Sequence, residues 1–352
     1  MEQRLPLNGV DRLLHDEGML TRLSRQSVLL LTNQSALTQD YRPSAKALQQ
    51  KIGGALKGIL APEHGWSGLL PEGEGGSDGW DAALGLPIWS LYGQKRTPFP
   101  SVDVIVIDLQ DVGLRCYTYA ATCAQMMEAL GGNDTEIIVC DRPNPLGPRK
   151  AGPKLDPAFR SIVGYLDVSW QHGQTLGQLL SAFNESLGVP LTVMPCQPFY
   201  EPYNSPWIPP SPNLPSWEAV LLYPALVMLE GTNVSEGRGT TLPFTSLGAP
   251  GLPHEGLIAF LKSHPGVHAR PLTFTPTRSK WAGQECQGVH FLVTDVQALQ
   301  SYELGLDILR FLYRHYEAFE WIPGASYFID SLMGTDAVRK EIEGGEKKVS
   351  PS

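Results

Sequence analysis

Residues 102–119 read VDVIVIDLQDVGLRCYTY, and the order of residue types in this stretch decides the fold. Val102–Leu109 is an almost unbroken apolar run, the pattern of a strand covered on both faces in a parallel sheet. It ends in Asp108, then a loop with Gln110, Asp111 and Gly113, then Arg115 and two tyrosines where a helix over about Tyr119–Leu130 is expected. The same texture repeats outward in both directions. Upstream, Ser27–Thr32, Gly58–Leu60 and Pro87–Leu91 read as strands and Ser44–Ile52 as a helix. Downstream, Glu136–Cys140 reads as a strand, Thr175–Leu187 as a helix and Leu191–Pro195 as a further strand. Alternating strands and helices predict an α/β fold: a Rossmann-like, doubly wound, mostly parallel sheet.

A proline-rich stretch, QPFYEPYNSPWIPPSPNLP at 197–215, interrupts this texture and excludes regular helix or central strand there. With Tyr200, Tyr203 and Trp207 it reads either as a binding loop or as a bridge between lobes. After about Leu229 the texture changes, with a strand expected over Val289–Thr294 and helices over Tyr302–Tyr316 and Thr335–Glu343, before a frayed polar tail. The expected organisation is a Rossmann-like N-terminal domain at 1–228 and a smaller α+β C-terminal domain at 229–352.

Composition narrows the function classes. The chain of 352 residues is 42% hydrophobic and 18% charged, with a net charge of −9. That is globular composition, and the charge argues against a nucleic-acid partner. No run of about 18 apolar residues marks a membrane span. The N-terminus lacks the basic, apolar and small-residue sections of a signal peptide, and five cysteines lie outside any CxxC pair. A cytoplasmic protein with reduced thiols is the expectation.

In open α/β sheets, ligands bind beyond the carboxyl ends of the strands. There the sequence places Glu63 and His64, then Tyr92, then Asp108, Asp111, Arg115 and Tyr117, then Arg142 and Asn144. Carboxylates, amides and aromatic rings together suit a sugar. A second polar loop, 230–241, carries Asn233, Glu236 and Arg238 among three glycines. No G-x-G-x-x-G follows a strand (Gly73, Gly75 and Gly76 lack that context), no G-x-S-x-G elbow appears, and the carboxylates and His64 have no metal-ligand spacing. No cofactor and no metal are expected.

The ordered blocks LLLTNQSAL, APEHGWSG, LPIWSLYG, VIVIDLQDVGLRCYTY, CDRPNPLG, HGQTLGQLL, PSPNLP, LEGTNVSEGRGTTLPF and MGTDAVRKEIE resemble the NamZ-type exo-β-N-acetylmuramidases, glycoside hydrolase family 171, formerly domain of unknown function 1343. The resemblance runs from about Val28 to Glu343. It implies two domains with the site in the cleft between them, and release of terminal N-acetylmuramic acid from peptidoglycan fragments during cell-wall turnover. The substrate implied is a small amino sugar or muropeptide. Glu63 is then the expected general acid/base. Glu236, or else Asp108 or Asp111, is the second carboxylate, at a separation that would decide between retention and inversion. Arg115, Arg142 and Arg238 are candidates for the lactyl carboxylate, with His64, Tyr92, Tyr117, Asn144 and Asn233 as further binding groups. One departure stands out: Ala151 occupies the place where the family pattern has glutamate. It favours, as the alternative, a non-catalytic or re-purposed member that binds such a sugar. A cofactor-dependent enzyme is the third reading.

Overall fold

The computed structural model describes residues 6–74, 76–93, 99–197, 203, 205–324 and 327–345. Tyr200, Gly75 and the expected polar tail at 346–352 lie outside the described residues. By contact density the chain divides into two compact units. The first comprises 1–113, 117–149 and 173–212, and the second 114–116, 150–172 and 213–352.

In the first unit, α1 (Gly9–His15) and α2 (Glu17–Leu23) precede β1 (Val28–Thr32), α3 (Ser44–Ile52) and β2 (Leu56–Ala61). Then come β3 (Gly79–Asp81), β4 (Leu86–Ser90), β5 (Val104–Asp108), α4 (Thr118–Ala129) and β6 (Glu136–Cys140). The chain visits the second unit for the hairpin β7 (Ala151–Lys154) and β8 (Ser169–Gln171), then returns for α5 (Leu176–Asn184) and β9 (Leu191–Met194). One sheet has the order β3-β4-β2-β1-β5-β6-β9. Every neighbouring pair is parallel except β3 with β4. All five residues of β1 and of β5 are buried, which is why both read as unbroken apolar runs. The connection order reverses between β1 and β5, so the switch-point crevice lies beyond Thr32 and Asp108.

In the second unit, α6 (Trp217–Leu226), β10 (Ser246–Ala249), α7 (His254–Leu261), β11 (Val267–Phe274), β12 (Cys286–Val293), α8 (Ser301–His315), α9 (Phe328–Met333) and α10 (Ala337–Glu343) follow in turn. Its antiparallel sheet has the order β10-β12-β11, with α7 packed on β11 and α6 on α8. Helix α6 escapes the sequence pattern for a physical reason. Nine of its ten residues are buried, Pro224 included, so it has no polar face to give a 3.6-residue period. Residues 213–228 therefore cluster with the second unit, because α6 is part of that unit's core. No described helix is long and apolar enough to cross a membrane.

Candidate active site

The chain leaves β2 through Pro62-Glu63-His64-Gly65, a turn closed by the Gly65 amide on the Pro62 carbonyl. His64 and Gly65 both adopt left-handed conformations, φ +70° and +73°, a strained choice for histidine that the loop over-determines. The His64 amide donates to the Glu74 carbonyl and its own carbonyl accepts from the Leu70 amide. The ring is fixed as well: Nδ1 lies 2.9 Å from the Leu70 carbonyl, an acceptor only, so Nδ1 carries a hydrogen there. Glu63 is buried, 8% exposed. Its Oε1 accepts from the Gly73 amide at 2.7 Å and its Oε2 from the Thr118 hydroxyl at 2.5 Å. Both donors are neutral.

The end of β5 is built differently. Asp108 is fully buried, and Arg142, from the end of β6, grips both its oxygens at 2.6 and 3.0 Å. The remaining guanidinium bond of Arg142 goes to the Leu37 carbonyl at 2.9 Å. Burial alone would lower the Arg142 pKa, but the Asp108 carboxylate outweighs it and raises it. This pair is a brace tying β5, β6 and the loop after β1 together. Asp111 turns inward and accepts from the Gly113 amide at 2.7 Å. Gly113 sits at φ +83° with Asn144 Oδ1 only 2.3 Å from where a Cβ would be, so no side chain fits there. Asn144 in turn caps the Leu146 amide and donates to the Gln174 carbonyl. Tyr117 rests against Tyr119, ring centroids 4.6 Å apart, and Tyr92 is half-buried after β4.

Beyond β1, Asn33 donates to the Tyr119 hydroxyl at 2.8 Å, and Tyr119 donates to the Pro210 carbonyl at 2.7 Å. Gln34 reaches the Pro209 carbonyl at 3.0 Å. Pro209 and Pro210 of the proline-rich stretch are thus fastened over the switch point. Among the described residues, a cavity there lined by Asn8, Ser35, Gln110, Arg142 and Trp207 measures about 20 Å³, room for one water.

In the second unit Arg115 is buried and its guanidinium donates to the carbonyls of Pro153, Val168, Leu332 and Met333. Burial pulls its pKa down to about 10. It is a four-way backbone clamp. Asn233 likewise bonds the Ala318 carbonyl and the Glu320 amide. Glu236 is 1% exposed and held by two cations, Arg238 at 3.0 Å and Lys280 at 2.8 Å. Burial would raise its carboxyl pKa, yet Lys280 and Arg238 overcome that and hold it at about 2. Arg238 also pairs with Glu230 at 2.6 Å and lies over the Phe244 ring. Burial pushes the Glu230 carboxyl up.

The nominated residues thus divide between the units. Glu63, His64, Tyr92, Asp108, Asp111, Tyr117, Arg142 and Asn144 belong to the first, and Arg115, Asn233, Glu236 and Arg238 to the second. Thr118, the Gly73 amide, Glu230 and Lys280 were not singled out from sequence. Thr118 sits inside the RCYTY block, where a partner for Glu63 was there to be sought. Lys280 lies 44 residues from Glu236, with no local signal.

Comparison with known proteins agrees with the fold. The family model for the N-terminal part of the exo-β-N-acetylmuramidase NamZ matches residues 28–218, and that for its C-terminal part matches residues 221–350. The peptidoglycan β-N-acetylmuramidase NamZ of Bacillus subtilis (strain 168) is 37% identical over 352 residues, covering 96% of this chain and 84% of that protein. Two crystal structures of DUF1343 family proteins from Bacteroides fragilis NCTC 9343 share the architecture. One superimposes with a TM-score of 0.82 at 26% identity over 97% of this chain and 92% of the other. The second gives 0.72 at 29% identity over 97% and 91%. With both of its family models matched in order along nearly all of its length, this chain belongs to the NamZ exo-β-N-acetylmuramidase family.

Proposed function

We propose that this chain is an exo-acting glycoside hydrolase that releases terminal N-acetylmuramic acid from peptidoglycan fragments, with Glu63 as general acid/base. Family membership across both units supports the reaction, as does the named activity of the Bacillus subtilis relative. The observation that carries the choice of Glu63 is the kind of donor around each carboxylate. Neutral groups hold Glu63 and the neutral Gly113 amide reaches Asp111, whereas cations hold Asp108 and Glu236. Of the first two, Glu63 lies in the PEHG block to which the family resemblance gives the acid/base role. A carboxylate locked to cations is a poor proton carrier, and one held by an amide and a hydroxyl can exist in both forms. Glu63 gives its proton to the departing oxygen as the glycosidic bond breaks. Glu236, ionised throughout, suits only a role that needs no proton, and Asp108 serves as a brace. Arg115 and Arg142 spend their guanidinium forks inside the protein, and Arg238 is engaged by Glu230 and Glu236, so none of the three is singled out for the lactyl carboxylate. We place the reaction in the cytoplasm, a compartment that suits five unpaired thiols.

Ala151 supports a second reading, a member that binds the sugar without turning it over. It stands on β7, half-buried and paired with Gln171. The deciding experiment measures chromophore release from para-nitrophenyl β-N-acetylmuramide, with the β-N-acetylglucosaminide as control. Wild type should turn over the muramide alone, and Glu63→Gln should lose at least about 100-fold in kcat. Turnover of neither sugar by wild type, with activity appearing in Ala151→Glu, selects the second reading.

A further inference from the structure

We infer that Thr118 is a positioning residue for Glu63, holding the carboxyl group in one place in both of its protonation states. The inference rests on the reading of Glu63 as acid/base. The two donors to Glu63 differ in kind. The Gly73 amide can only donate, so Oε1 is always an acceptor. The Thr118 hydroxyl facing Oε2 can donate to the carboxylate and, after rotating about its C–O bond, accept from the acid. Loss or gain of a proton therefore reverses the direction of one hydrogen bond without displacing the carboxyl group. Catalytic proton transfer is sensitive to such positioning, since misplacement of about 1 Å costs on the order of 100-fold.

The surroundings keep this hydroxyl for Glu63. Thr118 is the first residue of α4, preceded by the extended Tyr117 (φ −75°, ψ 120°), and its β-branched side chain has few rotamers. It is buried, 6% exposed, so water competes weakly. The helix start it sits on is anchored one residue later by Tyr119, which accepts from Asn33 and donates to Pro210. The loop carrying the other donor is anchored through His64, by its amide on Glu74 and its ring on Leu70. Glu63 thus sits between two fixed donors, one on a helix end and one on a loop.

The test compares wild type, Thr118→Val, Thr118→Ser and Glu63→Gln on the chromogenic muramide, with kcat, KM, the pH–rate profile and the melting temperature of each. Thr118→Val keeps the shape and removes the hydroxyl. It should lower kcat by about 10- to 100-fold, the loss expected for one hydrogen bond to a charged group, with KM within about 3-fold. The limb of its pH–rate profile governed by Glu63 should move to higher pH, since the bond the hydroxyl donates to the charged carboxylate is stronger than the one it accepts from the neutral acid, and both are gone. Thr118→Ser should restore most of kcat and the wild-type profile. An inactive Glu63→Gln beside a Thr118→Val enzyme with wild-type kcat and profile overturns the inference and spares Glu63. Equal losses in Thr118→Val and Thr118→Ser overturn it too, because retaining the hydroxyl would then not matter. Wild-type rates in Glu63→Gln remove the reading of Glu63 itself. If Thr118→Val does not fold, Thr118→Ala, which also lacks the hydroxyl, takes its place in each comparison.

Discussion

Asp108 and Glu63 both stand at the carboxyl ends of sheet strands, and the sequence nominates Glu63 as the acid/base and Asp108 only as an alternative second carboxylate. What separates them is the partner. Asp108 meets Arg142, 34 residues on, where both strand ends converge, whereas Glu63 meets a hydroxyl and an amide. Residue type and address were readable because strand ends are marked by where apolar runs stop. The partner was not, because it arrives through β5–β6 pairing that no local pattern encodes. The Asp108–Arg142 pair is fully enclosed, at 0% and 5% side-chain exposure, so removing one charge strands the other. Asp108→Asn should cost about 3–5 kcal/mol in urea unfolding, while replacing both residues with apolar ones of similar volume should recover much of the loss. A cost for Asp108→Asn under about 1 kcal/mol would contradict the brace.

At the scale of elements, the parallel strands and their helices were legible: β1, β5 and β6 fall within a residue or two of the apolar runs that announce them. Elements whose burial is uniform or whose length is short were not. Helix α6 has no polar stripe, and β3 and β7 span three and four residues, too short for alternation to register. The loop at 230–241 was recognised as polar and glycine-rich, but its electrostatic character depends on Lys280, delivered from the connection between β11 and β12. That delivery has a measurable pH signature. The Glu236 carboxyl, ordinarily at 4.5, is held at about 2 in the folded chain. A carboxyl depressed by folding stabilises fully above its unfolded value and loses that contribution as pH falls toward its folded one. The stability advantage of wild type over Glu236→Gln should therefore be greatest above about pH 4.5 and shrink steadily toward pH 2. Urea midpoints of both proteins at pH 7, 4.5 and 3 check it, and a pH-independent difference would refute it.

At the scale of the whole molecule, the chain does not divide at one point. Residues 114–116 and 150–172 leave the first unit's sequence range to complete the second. Arg115 spends its donors on carbonyls up to Met333, and Trp170, fully buried, donates to the Pro224 carbonyl. A fragment ending at residue 212 should accordingly expose Trp170 and its apolar neighbours. We expect red-shifted tryptophan emission, dye binding and aggregation; a monomeric fragment with a single cooperative melt would contradict this division. By itself the sequence determined the fold class, the strand ends and the residue types presented there, because hydrophobic periodicity and glycine–proline punctuation are local consequences of burial and backbone sterics. Only the tertiary structure decided which charges neutralise one another, which arginines are spent on backbone carbonyls and that Glu63 meets neutral donors where Asp108 and Glu236 meet cations. Those outcomes depend on groups brought together across tens to hundreds of residues, and a buried charge takes its character from the partner that arrives.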